Sequence, residues 1–272
     1  MAKRLLTAGI LTIFGLGLLF LRELWPPSFR ILACLVMLMA VWEMSSTFRA
    51  DLTPALRALL MLTAAATLPV SFFLEGSGMI LLFAVVLSSF LLMMVTTLFD
   101  RNVTLKGMGL YALMLFYPIV LISLFYDLSD QPDGLFLLVI TIAGSCLSDT
   151  FAFFVGSALK GPKLCPEISP KKTISGALGG VLGGVTGVMA SWLVFEGALG
   201  IPVSYEWYIL LIAGLIGSVF TELGDLVESS LKRRAGVKDF GNLLPGHGGV
   251  MDRLDSIMFH GFFVYLFFVV IL

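Results

Sequence analysis

Charged residues are scarce in this sequence, and their scarcity excludes a soluble globular protein. Only 13% of the 272 residues are Asp, Glu, Lys or Arg, whereas 58% are apolar, and the mean hydropathy is +1.02. A soluble domain cannot cover its surface with so few charges, but helices that face lipid need none. The composition therefore predicts an all-α, polytopic integral membrane protein.

Cysteine and histidine are also rare, which narrows the kinds of site that the chain can build. Cys34, Cys146 and Cys165 are too few and too scattered for a disulfide framework or a zinc site. A catalytic cysteine is disfavoured as well, because only two histidines, His247 and His260, exist to activate it.

The apolar residues are grouped in runs of about 20, the length that spans a bilayer as a helix. The sequence contains nine such runs, at approximately 5–22, 29–47, 56–74, 79–98, 107–126, 134–156, 177–196, 205–228 and 254–272. With a cytoplasmic N-terminus, 15 of the 17 Lys and Arg residues fall on the cytoplasmic side, as the positive-inside rule requires. We therefore expect about nine spans, with the C-terminus on the outer side.

The two halves of the chain differ in kind. Residues 1–130 have short loops and plain apolar spans, which predicts a scaffold of transmembrane helices. Residues 131–272 carry polar residues inside spans and two long cytoplasmic loops, which predicts a catalytic region facing the cytoplasm. Small residues recur every three or four positions in 176–187, a pattern that favours close helix packing over a phosphate-binding loop.

Asp149 lies deep in the sixth predicted span. Counted from Gly134, it lies roughly 22 Å along the helix axis. An ionised carboxylate that faced lipid at such a depth would cost at least about 2.5 kcal/mol. We therefore expect Asp149 to face a cation, a polar partner or water.

Two further acidic positions lie at the cytoplasmic ends of spans. Positions 222, 225, 229 and 232 share one helical face, and Asp252 shares a face with Asp255. Depth counting places Asp149, Asp225 and Asp252 at similar levels, which suits a cage for a hard divalent cation. The alternative for each aspartate is an ion pair with a nearby Lys or Arg.

The segment 229–255, SSLKRRAGVKDFGNLLPGHGGVMDRLD, concentrates five cations, three aspartates, a histidine and several glycines between two apolar spans. Its Gly246-His247-Gly248-Gly249 run predicts a nest of backbone N–H groups that binds an anion. His247 either donates to a phosphate or fills a turn, and His260 is expected to be a packing residue. Further positive charge comes from Lys171, Lys172, Lys232, Arg233 and Lys238.

This segment resembles the signature of the phosphatidate cytidylyltransferases (CDP-diacylglycerol synthases). Ser148-Asp149-Thr150 with Ala152 and Gly156, and the run 168–173 (ISPKKT), resemble two further blocks of that family. Together the blocks cover roughly the second half of the chain. The sequence departs from the family pattern at Ser157, where an Arg is common, and at Ser175, where a Glu is common.

The resemblance implies an enzyme of phospholipid biosynthesis in the cell inner (cytoplasmic) membrane. It would transfer CMP from CTP to phosphatidic acid with Mg²⁺ and a second cation, and it suggests a homodimer surrounded by membrane lipids, with no nucleic-acid partner. The implied catalytic residues are Asp225, Asp252, Lys232, Arg233, Lys238 and Asp255, and the implied metal ligands are Asp225, Asp252 and Asp149. The implied substrate-binding residues are Lys171, Lys172, Ser169, Thr173, Ser229, Gly246, His247, Gly248, Gly249 and Arg253.

Two other functions fit parts of the pattern. A CTP-dependent lipid kinase of the dolichol-kinase type resembles the family in architecture but would transfer the γ-phosphoryl group and release CDP. A cation-coupled transporter would also place carboxylates in the membrane, but it predicts acids near the midplane and inverted repeats. The sequence shows no such repeat, and its acids lie towards one face.

Overall fold

The computed structural model describes residues 17, 19, 21–72, 78–243 and 248–272, most of which are helical. Eight helices in this part of the chain are long and apolar enough to cross a membrane. They are α1 (Pro27–Thr47), α2 (Pro54–Phe72), α3 (Gly78–Phe99), α4 (Leu105–Asp130), α5 (Gly134–Leu159), α6 (Ile174–Ala198), α7 (Trp207–Arg234) and α8 (Met251–Ile271). The predicted all-α membrane fold is confirmed.

The eight helices coincide with the predicted spans from 29–47 to 254–272, whereas the first predicted span, 5–22, lies largely outside the described residues. Helix α7 extends to Arg234, six residues beyond the predicted end of its span. Its last turn carries Lys232, Arg233 and Arg234, and positive charge is favourable at a helix C-terminus. The helix therefore continues where the apolar pattern stops.

The loop between α5 and α6 adds a small sheet that the sequence did not predict. Strands β1 (Lys163–Cys165) and β2 (Ser169–Thr173) pair antiparallel, with Lys163 opposite Thr173. The Thr173 hydroxyl then accepts the backbone N–H of Gly176 at 3.1 Å and caps α6. The hairpin thus sets the position of Lys171 and Lys172 relative to the start of α6.

The chain divides into two compact units. The first comprises Met1–Asp127 and Asp239–Arg253, and the second comprises Leu128–Lys238 and Leu254–Leu272. The functional division into 1–130 and 131–272 stays a prediction. Residues 239–253 of the signature segment, however, belong to the unit that contains the N-terminal helices.

Hydroxyl groups link the helices of the first unit. The side-chain oxygens of Thr63 on α2 and Ser89 on α3 are 2.5 Å apart, and Ser89 is also 2.5 Å from the Tyr111 hydroxyl on α4. Around them lie fully buried apolar side chains, including Leu60 and Met114. Hydrogen bonds between membrane helices contribute about 0.6 kcal/mol each on average, so packing carries most of the stability.

Glycines let the helices of the second unit approach closely. A Cβ on Gly187 would lie 2.5 Å from the carbonyl oxygen of Ala143, and one on Gly183 would collide with the carbonyl oxygen of Leu147. On the other side of α6, a Cβ on Gly184 would lie 2.6 Å from the Cβ of Ser218. The glycine-rich segment is therefore a packing surface between α5 and α7, as the spacing favoured.

His260 is a buried packing residue in the second unit, as predicted. Its ring lies against Gly144 and Gly217, where a Cβ would come 2.6 Å and 2.9 Å from the ring carbon Cε1. Nδ1 lies 2.8 Å from the hydroxyl of Thr221. The glycines therefore make room for the ring, and Thr221 satisfies one of its nitrogens.

Candidate functional site

Lys172 lies at the centre of a polar cluster in the second unit. Its Nζ atom lies 2.6 Å from Oε2 of Glu222 and 2.8 Å from Oδ2 of Asp225. Both acids are on α7, three residues apart, and so face the same side of the helix. The Lys172 and Glu222 side chains are only 17% and 10% exposed. Lys172 therefore compensates two carboxylates at once.

The pKa of Lys172 is raised above its ordinary value. Burial alone acts to lower this pKa, but the charges of Asp225 and Glu222, and hydrogen bonds to both carboxylates, together outweigh it. Lys172 consequently stays protonated at neutral pH and supplies a fixed positive charge at the end of β2.

The cluster continues along α7 towards its C-terminus. The Ser229 hydroxyl donates to Oδ1 of Asp225 at 3.2 Å, and Lys232 forms an ion pair at 2.6 Å with Glu228, whose side chain is fully buried. Asp255 on α8 interacts with Glu228, Asp225 and Lys232. The structure thus brings Asp225, Ser229, Lys232 and Asp255 into one cluster, in which Lys232 and Asp255 interact with a glutamate, Glu228, that was not predicted.

Asp149 of α5 belongs to the same cluster. Its side chain is exposed, and the charges of Asp255, Asp225, Lys172 and Glu222 all act on it. The cluster therefore contains two of the three predicted metal ligands, Asp149 and Asp225.

Two side-chain oxygens, from Glu222 and Ser148, lie close to Gly180 inside this cluster. A Cβ on Gly180 would lie 2.7 Å from Oε1 of Glu222 and 3.2 Å from the Ser148 hydroxyl oxygen. Within the described part of the chain, both oxygens are buried and have no hydrogen-bond partner. Such groups are rare in folded proteins and often mark a functional position or a bound water.

The predicted Mg²⁺ site is neither confirmed nor contradicted by this arrangement of side chains. A magnesium ion needs several oxygen ligands at octahedral positions around one point. Among the residues that the structure describes, no three Asp, Glu, His or Cys side chains form such a group, and Asp225 is already paired with Lys172. The roles of Asp149, Asp225 and Asp252 as metal ligands stay a prediction.

Asp252, in the first unit, makes a set of polar contacts of its own. Its buried carboxylate accepts hydrogen bonds from the backbone N–H groups of Phe240 at 2.9 Å, Gly249 at 2.8 Å and Gly241 at 3.4 Å. We call the described residues of this segment, 239–243 and 248–250, the signature loop. Asp252 joins the two arms of this loop, so its oxygens bind the protein's own backbone.

The glycines of the signature loop serve the loop's own geometry. Gly248 has φ +83°, and a Cβ there would lie 3.0 Å from Oδ2 of Asp252, so a larger residue would be both strained and crowded. The Gly249 N–H is taken by Asp252. Gly246 and His247, the other members of the predicted anion nest, lie outside the described residues.

The remaining predicted substrate-binding residues differ in exposure. Lys171, Arg233, Lys238 and Arg253 are exposed, and within the described residues none of these four forms an ion pair. Ser169 is half-buried in β2, and Thr173 is occupied as the cap of α6. Four cations are therefore available to bind phosphate groups in solution.

Two buried acids were missed from the sequence. Glu228 has a local signal, because it lies four residues before Lys232 on the same helix and pairs with it. Glu43 lies in α1 with 1% exposure and accepts the backbone N–H of Met251 at 3.0 Å. A carboxylate in an apolar span is itself a functional signal, but the partner of Glu43 is 208 residues away and could not be inferred.

The chain is similar over nearly its whole length to a known family. The sequence model of the cytidylyltransferase family matches residues 2–271. A phosphatidate cytidylyltransferase of Bacillus subtilis (strain 168) is 38% identical over 198 residues, 71% of this chain and 70% of that protein. One from Brucella abortus biovar 1 (strain 9-941) is 39% identical over 165 residues, 60% of this chain and 58% of the relative. One from Staphylococcus haemolyticus (strain JCSC1435) is 39% identical over 139 residues, 51% of each chain.

Proposed function

The chain belongs to the cytidylyltransferase family, and on that premise we propose that it transfers CMP from CTP to phosphatidic acid, giving CDP-diacylglycerol and pyrophosphate. The observation that carries the proposal is the family match over residues 2–271, together with relatives named phosphatidate cytidylyltransferase at 38% and 39% identity. The predicted family and the predicted enzyme class, a CTP-using nucleotidyltransferase, are confirmed. The phosphatidate substrate comes from the names of the relatives and from the signature segment.

The proposed reaction exchanges one P–O bond for another. A phosphate oxygen of phosphatidic acid attacks the α-phosphorus of CTP, the bond from that phosphorus to the oxygen bridging the α- and β-phosphates breaks, and pyrophosphate leaves. The attacking phosphate is already an anion, so the step needs no general base. The work of the protein is to position two anionic substrates and to neutralise their charge.

The exposed cations suit this work. Lys171, Arg233, Lys238 and Arg253 are available for substrate phosphates, and Arg can bind two phosphate oxygens at once. Lys172 and Lys232 are held by carboxylates. We propose that these two contribute through the charge of their clusters, and that the four exposed cations make the direct phosphate contacts.

We also propose that turnover depends on Mg²⁺, with Asp149, Asp225 and Asp252 as its candidate ligands and a second cation beside it. Carboxylate oxygens are the donors that Mg²⁺ takes. A cation at Asp225 would have to compete with Lys172, which lies 2.8 Å from that carboxylate. Titration with Mg²⁺ at fixed substrate therefore tests the proposal directly.

We place the enzyme in the bacterial inner (cytoplasmic) membrane, with the site facing the cytoplasm. Bacterial relatives and the asymmetric distribution of Lys and Arg support this location. The resemblance supports a homodimer in contact with membrane lipids. One substrate is a lipid and the other is soluble in water, so a site at the membrane boundary gives access to both.

The proposal is tested with the purified full chain, phosphatidic acid and CTP. We expect release of pyrophosphate that requires both substrates, and a lipid product with the mass of CDP-diacylglycerol. Release of CDP with phosphorylation of a lipid would instead indicate a CTP-dependent kinase. Diacylglycerol in place of phosphatidic acid is the matched control, because it lacks the attacking phosphate.

A further inference from the structure

We infer that Glu43 in α1 is a positioning residue for the signature loop, residues 239–243 and 248–250, and this role rests on the proposed function. Glu43 is the only carboxylate in α1, and its side chain is 1% exposed. Burying a carboxylate in a membrane-spanning helix is costly unless it is bound. The groups that bind the Glu43 carboxylate therefore indicate its role.

One oxygen of the Glu43 carboxylate holds the chain directly after the signature loop. Oε2 accepts the backbone N–H of Met251 at 3.0 Å. The other oxygen, Oε1, is buried and has no hydrogen-bond partner among the residues that the structure describes. The backbone N–H groups of both Met251 and Val250 act on this carboxylate, which thereby binds the end of the signature loop.

Two glycines of the signature loop leave space for the Glu43 carboxylate. A Cβ on Gly249 would lie 2.6 Å from Cδ of Glu43, and a Cβ on Gly241 would collide with Oε1. Gly241 and Gly249 are on opposite arms of the loop. The two glycines therefore leave the space that the Glu43 side chain fills, and the carboxylate contacts both arms.

Two neighbours of Glu43 hold the same loop. The Thr47 hydroxyl, one turn further along α1, donates to the backbone carbonyl of Phe240 at 3.1 Å. The rings of Phe48 and Phe240 have centroids 6.3 Å apart, and Phe240 is 5% exposed. The end of α1 thus contacts the loop through a carboxylate, a hydroxyl and a ring.

These contacts complement those of Asp252. Asp252 joins the two arms of the loop to each other, whereas Glu43 and Thr47 attach the joined loop to α1. The position of the signature loop therefore follows the position of a helix in the N-terminal part of the chain. A displacement of about 1 Å at a catalytic group can cost roughly 100-fold in rate, so this attachment affects turnover without contact with substrate.

The inference is tested with Glu43→Ala, Glu43→Gln and a matched control, Ser45→Ala. The Gln side chain has nearly the same size and keeps an oxygen that accepts the Met251 N–H, whereas Ala removes it. Ser45 is also buried in α1, but its hydroxyl bonds to the carbonyl of Trp42 in the same helix. The control therefore removes a buried polar group without touching the loop.

Two measurements are made on each purified, folded full-length variant. The first is pyrophosphate release per folded enzyme, and the second is the rate of chymotrypsin cleavage after Phe240, which is buried while the loop is attached. For Glu43→Ala we expect activity to fall roughly 10- to 100-fold and cleavage to accelerate. Glu43→Gln should restore both values towards those of the original chain, and Ser45→Ala should change neither.

Unchanged activity per folded enzyme in Glu43→Ala would overturn the inference, since a merely stabilising residue changes only the amount of folded protein. Lost activity without faster cleavage would also overturn it, because Glu43 would then act by another route. If Glu43→Ala does not fold, Thr47→Val is expected to shift both measurements in the same direction. An original chain without activity would refute the proposed function, while the cleavage rates would still show whether Glu43 holds the loop.

Discussion

Lys172 shows at the scale of single residues how this protein keeps charge inside a largely apolar chain. Its ammonium group lies between Glu222 and Asp225, and Lys232 pairs with the buried Glu228 in the same way. Both ion pairs involve acids in the C-terminal half of α7. The carboxylates that could serve substrates or metal are thus held by cations of the same unit.

Asp225→Asn keeps the size of the side chain but removes its charge. We expect this variant to lose most of its turnover, by about tenfold or more if electrostatic stabilisation of the transferring phosphoryl group depends on it. The folded protein should still be extractable, because Lys172 keeps its bond to Glu222. Glu167→Gln, which removes an exposed acid between β1 and β2, serves as the control. Full activity of Asp225→Asn would exclude a metal-binding role for this residue.

A double-mutant cycle that follows thermal stability measures the interaction between Lys172 and Glu222. Lys172→Met leaves two poorly solvated carboxylates without their cation and should lower the melting temperature clearly. Glu222→Gln in the same chain removes one of those charges and should recover part of the loss. We expect the two effects to depart from additivity by about 0.5–3 kcal/mol, whereas strict additivity would show that the pair contributes nothing.

The pH dependence of this pair follows from the raised pKa of Lys172. A cation whose pKa is higher in the folded state than its ordinary value of 10.5 stabilises the fold fully below that value. The contribution is lost only as the pH rises through the higher, folded-state pKa. The difference in melting temperature between Lys172→Met and the original chain should therefore be constant around neutral pH and shrink only in strong alkali.

The sequence indicated some of the polar residues of the candidate site, but it did not indicate their interaction partners. Asp149 and Asp225 stand out because charge is rare in the apolar runs, and the structure brings them into one cluster with Lys172. The partners of Lys172 are 50 and 53 residues away along the chain, and the pairing depends on how β2 lies against α7. The hydrogen bonds of Asp252 to the backbone of the signature loop were not predicted, and its role at a metal stays a prediction.

At the scale of elements, α6 packs through its glycines. Gly183→Ala would push a methyl group into the backbone carbonyl of Leu147 on α5, and backbone cannot move aside as a side chain can. We expect a loss of about 1–3 kcal/mol in stability, seen as a lower melting temperature in detergent. Gly197→Ala is the matched control on the same helix, because a Cβ there meets nothing within 4 Å. Equal behaviour of the two variants would contradict the packing role.

Helices were more predictable than strands for a physical reason. A bilayer requires about 20 apolar residues per span, so eight helices could be located to within a few residues of their observed ends. Strands β1 and β2 have three and five residues, too few for a period of two to be recognised. Their lysines and proline are also typical of a loop, so the hairpin that holds Lys172 was not predicted.

At the scale of the whole molecule, the signature segment is shared by the two units. Residues 229–238 and 254–255 belong to the second unit, and residues 239–253 belong to the first. The segment that identifies the family therefore cannot be assigned to one half of the chain. Glu43 and Thr47 of α1 contact this segment, and the role of the N-terminal helices as a scaffold stays a prediction.

The membrane topology is a prediction for the whole molecule. With nine spans and a cytoplasmic N-terminus, a tag added after Leu272 should lie on the outer side of the membrane. In intact cells such a tag should react with an impermeant label, while a tag before Met1 should react only after the cells are opened. A C-terminal tag accessible only from the cytoplasm would show that the predicted count of spans is wrong.

The most direct test of the central claim uses CTP labelled with radioactive phosphorus at either the α or the γ position, with phosphatidic acid and the purified chain. Transfer of CMP puts the α label into lipid and the γ label into pyrophosphate. We therefore expect the lipid to become labelled with α-labelled CTP but not with γ-labelled CTP. Labelled lipid from γ-labelled CTP when diacylglycerol supplies a free hydroxyl as acceptor, with CDP as the soluble product, would contradict a cytidylyltransferase and identify a lipid kinase.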